Sequence, residues 1–226
     1  TSNYSTTATA SSNIGNYPII SSNFATSANG IPYRVITSGT LGVTPATLTY
    51  TATAANMTYG SSTPSLSGGV TGFVNGESVA TATTGAMTFT TPAASTSNVG
   101  AYAINGSGLS ANNGNYIFAQ AAGNASALTI SQRPLTVTAD AQSRTYGSTN
   151  PTLTYTVGGS GLVNGDTLTG ALSTSATAGS NVGSYAIAQN TLAASSNYAL
   201  TYVSSNLGVT PATLTYTATA ANMTYG

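Results

Sequence analysis

In the stretch ATLTYTATA, residues 46–54, the apolar positions Leu48, Tyr50, Ala52 and Ala54 alternate without a break with Thr47, Thr49, Thr51 and Thr53. A period of two puts successive side chains on opposite faces, so the stretch predicts a half-buried β-strand with threonine outward. β-Branched threonine suits that outer face, because it fits the pleat and binds water without charge. The same alternation returns at Leu135, Val137, Ala139 and Ala141, and again at Leu153, Tyr155 and Val157. Further strands are predicted at Tyr33 to Ile36, and around Leu41 and Val43, Met87 and Phe89, Tyr102 and Ile104, Tyr116 and Phe118, and Leu128 and Ile130. Later ones follow around Tyr185 and Ile187, Tyr198, Leu200 and Tyr202, and Leu207 and Val209. No window of a dozen residues has apolar positions spaced by three and four, so long helices are not expected.

Between these runs lie recurring turn signals. YGSSTP at Gly60–Pro64 and YGSTNP at Gly147–Pro151 pair a glycine with a following proline, and each reads as a turn. GFVNGES and GLVNGDT place Asn75-Gly76 and Asn164-Gly165 after apolar pairs, which predicts a tight turn or a short helix. SNIGNYPI, SNVGAYAI and SNVGSYAI bring Asn13, Asn98 and Asn181 before Gly15, Gly100 and Gly183, each leading into a strand with Tyr and Ile on one face.

The order of these signals is periodic. LGVTPATLTYTATAANMTYG at residues 41–60 recurs letter for letter at 207–226, and a diverged copy, LTISQRPLTVTADAQSRTYG, stands between them at 128–147. The 166-residue period is therefore expected to hold two modules of about 80 to 90 residues. The expected division is residues 1–45, the C-terminal part of a truncated module; 46–131 and 132–211, two complete β modules; and 212–226, the start of another truncated module. Five to seven short strands per module predict a mainly β fold, a tandem array of small antiparallel modules. Either an immunoglobulin-like sandwich or a β-grasp-like sheet with a short helix near LVNGD accommodates them. Both bury a thin core, so neighbouring modules are expected to add stability. Pro45, Pro134 and Pro211 stand at the short junctions, where fixed φ and the lack of a Gly/Ser run predict a stiff connection.

Composition narrows the function. Only 3% of the residues are charged: three Arg and three acidic residues, with no Lys and no His. No basic stripe is available for phosphates, so nucleic acid and anionic membrane surfaces are not expected as partners. No apolar run approaches the roughly 18 residues of a spanning helix, so no membrane insertion is expected within this segment. The absence of Cys removes disulfides, thiol catalysis and thiolate metal sites, and the absence of Lys removes lysine–asparagine isopeptide crosslinks.

The chemical inventory points away from catalysis. General acid–base work needs a group titrating near neutrality or a tuned carboxylate pair, whereas Glu77, Asp140 and Asp166 are isolated from one another in the sequence. Asp140 reads as a solvated or turn-facing side chain, and Glu77 and Asp166 as caps of the turn or short helix that follows Asn-Gly. One acid per module is too few for a tight calcium site. SGGVTG and GGSG lack the Lys and helix of a phosphate loop. The recurring tyrosines read as core and cross-strand packing rather than a sugar-stacking surface. Asn-x-Ser/Thr sequons begin at Asn3, Asn56, Asn105, Asn124 and Asn222, as expected by chance in a chain rich in Asn, Ser and Thr. No catalytic, cofactor-binding or metal residues are therefore expected, and no enzyme activity.

RPLTVTADAQSRTYGSTNPTLTYTVGGSGLVNGDTLTGALST followed by NVGSYAIAQNTLAASSNYALTYV resembles the MBG repeat of YGX type, and the ordered set YGxxxP, LVNGD, NVGxYAI carries the resemblance over essentially the whole chain. That family occurs in tandem in very large bacterial surface and secreted exoproteins, including haemagglutinin-like and other adhesins. The chain departs from it in its scarcity of charge and in having Glu77 where the second module has Asp166. The resemblance implies an extracellular, bacterial cell-surface location, no catalytic residues, and a stalk or spacer role in a long adhesin or matrix fibre. Expected partners are neighbouring modules in the same chain and, in a filament, identical chains. In the alternative reading the modules themselves bind glycan or host protein. Identity of residues 41–60 and 207–226 on strand and loop alike favours the spacer.

Overall fold

The structure is a computed structural model that describes residues 4–21, 24–26, 28–34 and 38–226. It is mainly β and divides into two compact units. The first unit comprises Thr1–Met57, Ser62–Ala94 and Gly100–Ile130; the second comprises Thr58–Ser61, Ser95–Val99 and Ser131–Gly226. Among the described residues, no helix is long and apolar enough to cross a membrane.

The first unit is built on the strand Ala46–Ala52, where Leu48 and Tyr50 face the core as the alternation predicts. It lies between Gly68–Thr71, antiparallel, and Tyr116–Gln120, parallel, with Leu48 opposite Phe118 and Tyr50 opposite both Gln120 and Val70. Leu48, Ala82 and Tyr116 form the centre of this core, with Val70, Phe73, Ala111 and Phe118 against them. The alternation in the sequence runs on to Ala54, but the strand stops at Ala52. Thr53 and Ala55 give their N–H groups to Ser67 and Ala127, at 2.8 Å each, and so carry the chain into a second sheet as Ala55–Thr58. There it flanks Leu128–Ser131, which pairs antiparallel with Gly100–Tyr102. Thr83–Thr90 and Asn105–Ala111 form a separate antiparallel pair, bulged between Ser107 and Leu109.

The second unit repeats the plan. Arg133–Ala139 lies between Tyr155–Gly159, antiparallel, and Tyr198–Val203, parallel. Gln142–Thr145 runs parallel to Ser205–Thr210, which pairs antiparallel with Gly183–Ala188. Ala139, Ala176, Ile187 and Leu207 fill the core, with Leu153, Leu172, Tyr185 and Tyr202 packed on them. The antiparallel pairs are those expected. The parallel pairs of Ala46–Ala52 and Arg133–Ala139 arise because each module's first strand is central and a late strand returns beside it, a crossover that parallel neighbours require. Gln142–Thr145 with Ser205–Thr210 continues the two chain segments of the second of these pairs in the same directions.

Three strand pairs keep one register. Gly15 faces Val43 and Tyr17 faces Leu41; Gly100 faces Ile130 and Tyr102 faces Leu128; Gly183 faces Val209 and Tyr185 faces Leu207. In the first and third, the Tyr17 and Tyr185 hydroxyls donate back to the Asn13 and Asn181 carbonyls at 2.8 and 2.9 Å, tying the strand to the Asn-x-Gly bend before it. The strand expected at Tyr33 to Ile36 is present as Pro32–Arg34, and its last two positions lie outside the described residues.

A buried amide braces the first unit. Asn124 donates to the Tyr50 carbonyl and to Gln120 Oε1, at 2.9 Å each, and its Oδ1 accepts from the Ala52 N–H at 2.8 Å. The sequon at Asn124 is therefore occupied by internal bonds. Asn124→Ala strands the Ala52 N–H and leaves the Tyr50 carbonyl with the Ala121 N–H alone, for an expected loss of about 1–3 kcal/mol. Denaturant unfolding followed by first-unit amide signals reads this directly, and a loss below about 0.5 kcal/mol would show that the amide is not a brace.

Candidate functional site

Each unit carries one Asn-Gly turn of the same kind. Asn75 and Gly76 have φ of 55° and 72°, Asn164 and Gly165 of 56° and 77°. Positive φ at both central positions is the signature of a type I′ turn, which Asn-Gly adopts more readily than other pairs. The Glu77 N–H closes the first turn on the Val74 carbonyl at 3.0 Å, and the Asp166 N–H closes the second on Val163 at 2.9 Å. The tight turn was expected from the sequence. The short helix follows it only in the first unit, as Val79–Ala82.

The acidic residue after each turn does not cap that helix. Ser78 occupies the N-terminal position there, its own N–H bound by Thr81 Oγ1 at 2.9 Å. The carboxylates instead meet tyrosines. In the second unit the Tyr198 hydroxyl donates to Asp166 Oδ2 at 2.8 Å while accepting the Val163 N–H at 3.0 Å. Tyr59, from the Tyr-Gly turn that the second unit takes in, donates to the same Asp166 oxygen at 2.9 Å. Its ring meets that of Tyr198 edge to face, with centroids 5.5 Å apart and planes at 79°. Both rings are buried, and their hydroxyls share one anionic acceptor, the stronger class of hydrogen bond.

Around this pair the contacts are backbone-specific. Gly60 has φ of 81°, and a Cβ there would overlap the Val163 side chain, so glycine is required twice over. The Ser95 carbonyl accepts both the Gly60 N–H and Asn164 Nδ2, at 3.1 Å each. Asn197, buried beside Tyr198, accepts the Val99 N–H on Oδ1 and donates from Nδ2 to Asn98 Oδ1, at 2.9 Å each.

The first unit repeats this set. The Tyr116 hydroxyl donates to the Glu77 carboxylate and accepts the Val74 N–H at 3.1 Å. Asn115 accepts the Ile14 N–H and donates to Asn13 Oδ1, at 2.9 Å each, and Asn75 Nδ2 donates to the Ala10 carbonyl at 3.2 Å. Beside Glu77 and Tyr116 the first unit has a cleft of about 320 Å³, walled also by Ala10, Asn13, Val74 and Asn75.

Asp140 stands apart from both sites. It accepts from Thr154 Oγ1 at 2.7 Å and Thr156 Oγ1 at 3.0 Å, both exposed bonds, and its side chain is half-buried. Among the described residues, no three of the metal-ligating types His, Cys, Asp and Glu come together. The tyrosines divide: Tyr50, Tyr59, Tyr116 and Tyr198 are core, whereas Tyr4, Tyr146 and Tyr155 are exposed. Sequence reasoning did not find the Asn13–Asn115 and Asn98–Asn197 pairs. Their signal was the Asn-Tyr dipeptide at 115–116 and 197–198, which each time follows an Asn-Gly-acid triplet in the same module.

The two buried phenols titrate for different reasons. Tyr116 is raised above the usual tyrosine value of 10.0 chiefly by its bond to Glu77, with burial second. Tyr198 is raised chiefly by burial, with the Asp166 bond a smaller contribution. A raised value means that the folded state holds the proton more tightly. The stability this contributes is complete below pH 10 and is lost as pH climbs through the raised values. Glu77→Gln should bring Tyr116 most of the way back to its usual value, whereas Asp166→Asn should leave most of the elevation of Tyr198 in place. Ring-carbon NMR titration separates the two residues, and an equal fall at both would contradict these causes.

No curated protein and no solved structure that was compared matches the chain. The family described as MBG domain (YGX type) matches it twice, over residues 48–126 and 135–208, together more than half of its length. Each match holds one central strand with its parallel partner, one Asn-Gly turn and one tyrosine–carboxylate pair, and the chain belongs to the MBG domain (YGX type) family as a tandem pair of its repeats.

Proposed function

We propose that this chain is a structural spacer: a run of repeats in a long extracellular fibre of a bacterial surface or matrix protein, without catalytic activity of its own. MBG domains are typical of surface proteins, which supports the location. The observation that carries the role is the recurrence of one bonding scheme. Asn-Gly turn, carboxylate, tyrosine and paired asparagines hold Ala10–Ile14 within the first unit, and they hold Ser95–Val99 within the second. The sequences held differ, as Ala10 and Ile14 against Ser95 and Val99 show, while the bonding groups are the same. A site for a soluble ligand has no need to repeat in this way, whereas a scheme that builds each repeat must.

The chemistry also suits a fibre that works outside the cell. The scheme uses neutral amides and phenols with one carboxylate, so it contains no thiol to oxidise and little charge for salt to screen. Partners on this reading are neighbouring repeats and identical chains.

On this reading the repeats add their lengths. With strands rising about 3.3 Å per residue, each repeat should advance a fibre by roughly 30 to 45 Å. Small-angle scattering on proteins of two, four and six repeats should give a maximum dimension that grows linearly with repeat number. Growth with the square root of repeat number would mean flexible linkage and would defeat the spacer reading.

A further inference from the structure

Inside the two family matches the chain has four Asn-Gly pairs, beginning at Asn75, Asn105, Asn113 and Asn164. Asn-Gly is the dipeptide in which a backbone nitrogen most readily attacks the preceding side-chain amide, because glycine has no side chain to block the approach. The attack needs a loose amide and a nitrogen free to move. The fold withholds one or both at three of the four pairs.

Asn75 and Asn164 are held in their turns. The N–H after each pair closes the turn at 3.0 and 2.9 Å, and the side-chain Nδ2 is drawn to a carbonyl outside it, Ala10 at 3.2 Å and Ser95 at 3.1 Å. Asn105 opens the strand Asn105–Ala111, opposite Thr90. The nitrogen that would attack it, that of Gly106, is buried and donates to Gln120 Oε1 at 2.9 Å. The Tyr50 ring lies so close that a Cβ on Gly106 would be 2.5 Å from it.

Asn113-Gly114 is different. Its loop is pinned on either side: Asn112 donates its N–H to the Ala82 carbonyl at 3.0 Å and its Nδ2 to the Thr81 carbonyl at 3.1 Å, and Asn115 bonds to Asn13 and Ile14 at 2.9 Å each. Between the pins both residues are exposed. Among the described residues, neither the Asn113 amide nor the Gly114 N–H has a hydrogen-bond partner. The second unit has Ser195-Ser196 at the corresponding place before Asn197-Tyr198, so this pair belongs to the first unit.

We propose that Asn113 is a site of self-catalysed covalent modification, the conversion of its amide to a carboxylate through the Gly114 nitrogen. That nitrogen forms a bond to Asn113 Cγ, its proton passing through water to the departing Nδ2. The Cγ–Nδ2 bond breaks, ammonia leaves, and a five-membered succinimide remains. Water opens the ring at either carbonyl and leaves aspartate or isoaspartate at position 113. Both products change the net charge from zero to −1 and give the first match a second acid besides Glu77. Isoaspartate also routes the backbone through the former side chain, which lengthens the loop between its two pins by one methylene.

The test is incubation of the full chain at mildly alkaline pH, with chymotryptic peptides followed over time by mass spectrometry. Conversion at Asn113 should be at least about ten-fold faster than at Asn75, Asn105 and Asn164, because only the last three must first break a native contact. In denaturant those contacts are gone, and the four rates should fall within about three-fold of one another. Isoaspartate should make up part of the product at position 113, since direct hydrolysis of the amide yields aspartate alone. Rates within about three-fold at all four pairs of the folded chain would overturn the proposal, because the fold would then not select among them. An unchanged Asn113, or aspartate there without isoaspartate, would overturn it as well.

Discussion

A buried phenol must satisfy its hydroxyl, and in a chain with three acidic residues there are few anions to do it with. Two of the three, Glu77 and Asp166, stand directly after an Asn-Gly turn and accept a buried tyrosine there. The turn aims the carboxylate, and the tyrosine hydroxyl in turn accepts the N–H of the residue that opens the turn, Val74 or Val163. Backbone, phenol and acid thus form a closed set. Hydrogen bonds to a charged partner contribute about 1.5–3 kcal/mol each, a large amount for modules with thin cores. Because the set sits where a second segment of chain arrives, the same bonds that finish each unit also hold that segment.

Identical sequence in two places separates what the pattern specifies from what its partners supply. Leu48 and Tyr50 are 0% and 3% accessible in Ala46–Ala52, between Gly68–Thr71 and Tyr116–Gln120. Leu214 and Tyr216, in the letter-for-letter copy, are 79% and 93% accessible, and no ladder pairing involves residues 212–226 among those described. Just upstream, Leu41 and Leu207 face Tyr17 and Tyr185 in the same register. The alternating pattern is a capacity to form a strand, which a strand on each side converts into one.

That difference explains how much could be read in advance. Strands with a two-residue period and bulky apolar positions, such as Arg133–Ala139, Tyr198–Val203 and Leu128–Ser131, were legible. Gly68–Thr71 and Asn105–Ala111 were not, since GGVT and NGSGLSA carry too little apolar signal and owe their pairing to neighbours. The strand ends at Ala52 and Ala139 were overrun, because Ala54 and Ala141 continue the alternation while the backbone has already turned away. At the site, Asn-Gly announced its turn through the φ it favours. The destination of the following acid was hidden, because Glu77 and Tyr116 are 39 residues apart and only the returning parallel strand brings them together. Tyr59 and Asp166, 107 residues apart, were further out of reach.

The central claim is that the Tyr59 hydroxyl and the Asp166 carboxylate are energetically coupled, and a double-mutant cycle tests it most directly. Tyr59→Phe keeps the ring packing on Tyr198 and removes only the hydroxyl, while Asp166→Asn keeps the shape and removes the charge. Unfolding of the second unit, measured for both single variants and the double, should give a coupling energy of about 1–2 kcal/mol. Simple additivity, within about 0.3 kcal/mol, would show that the two groups are neighbours without a joint between them.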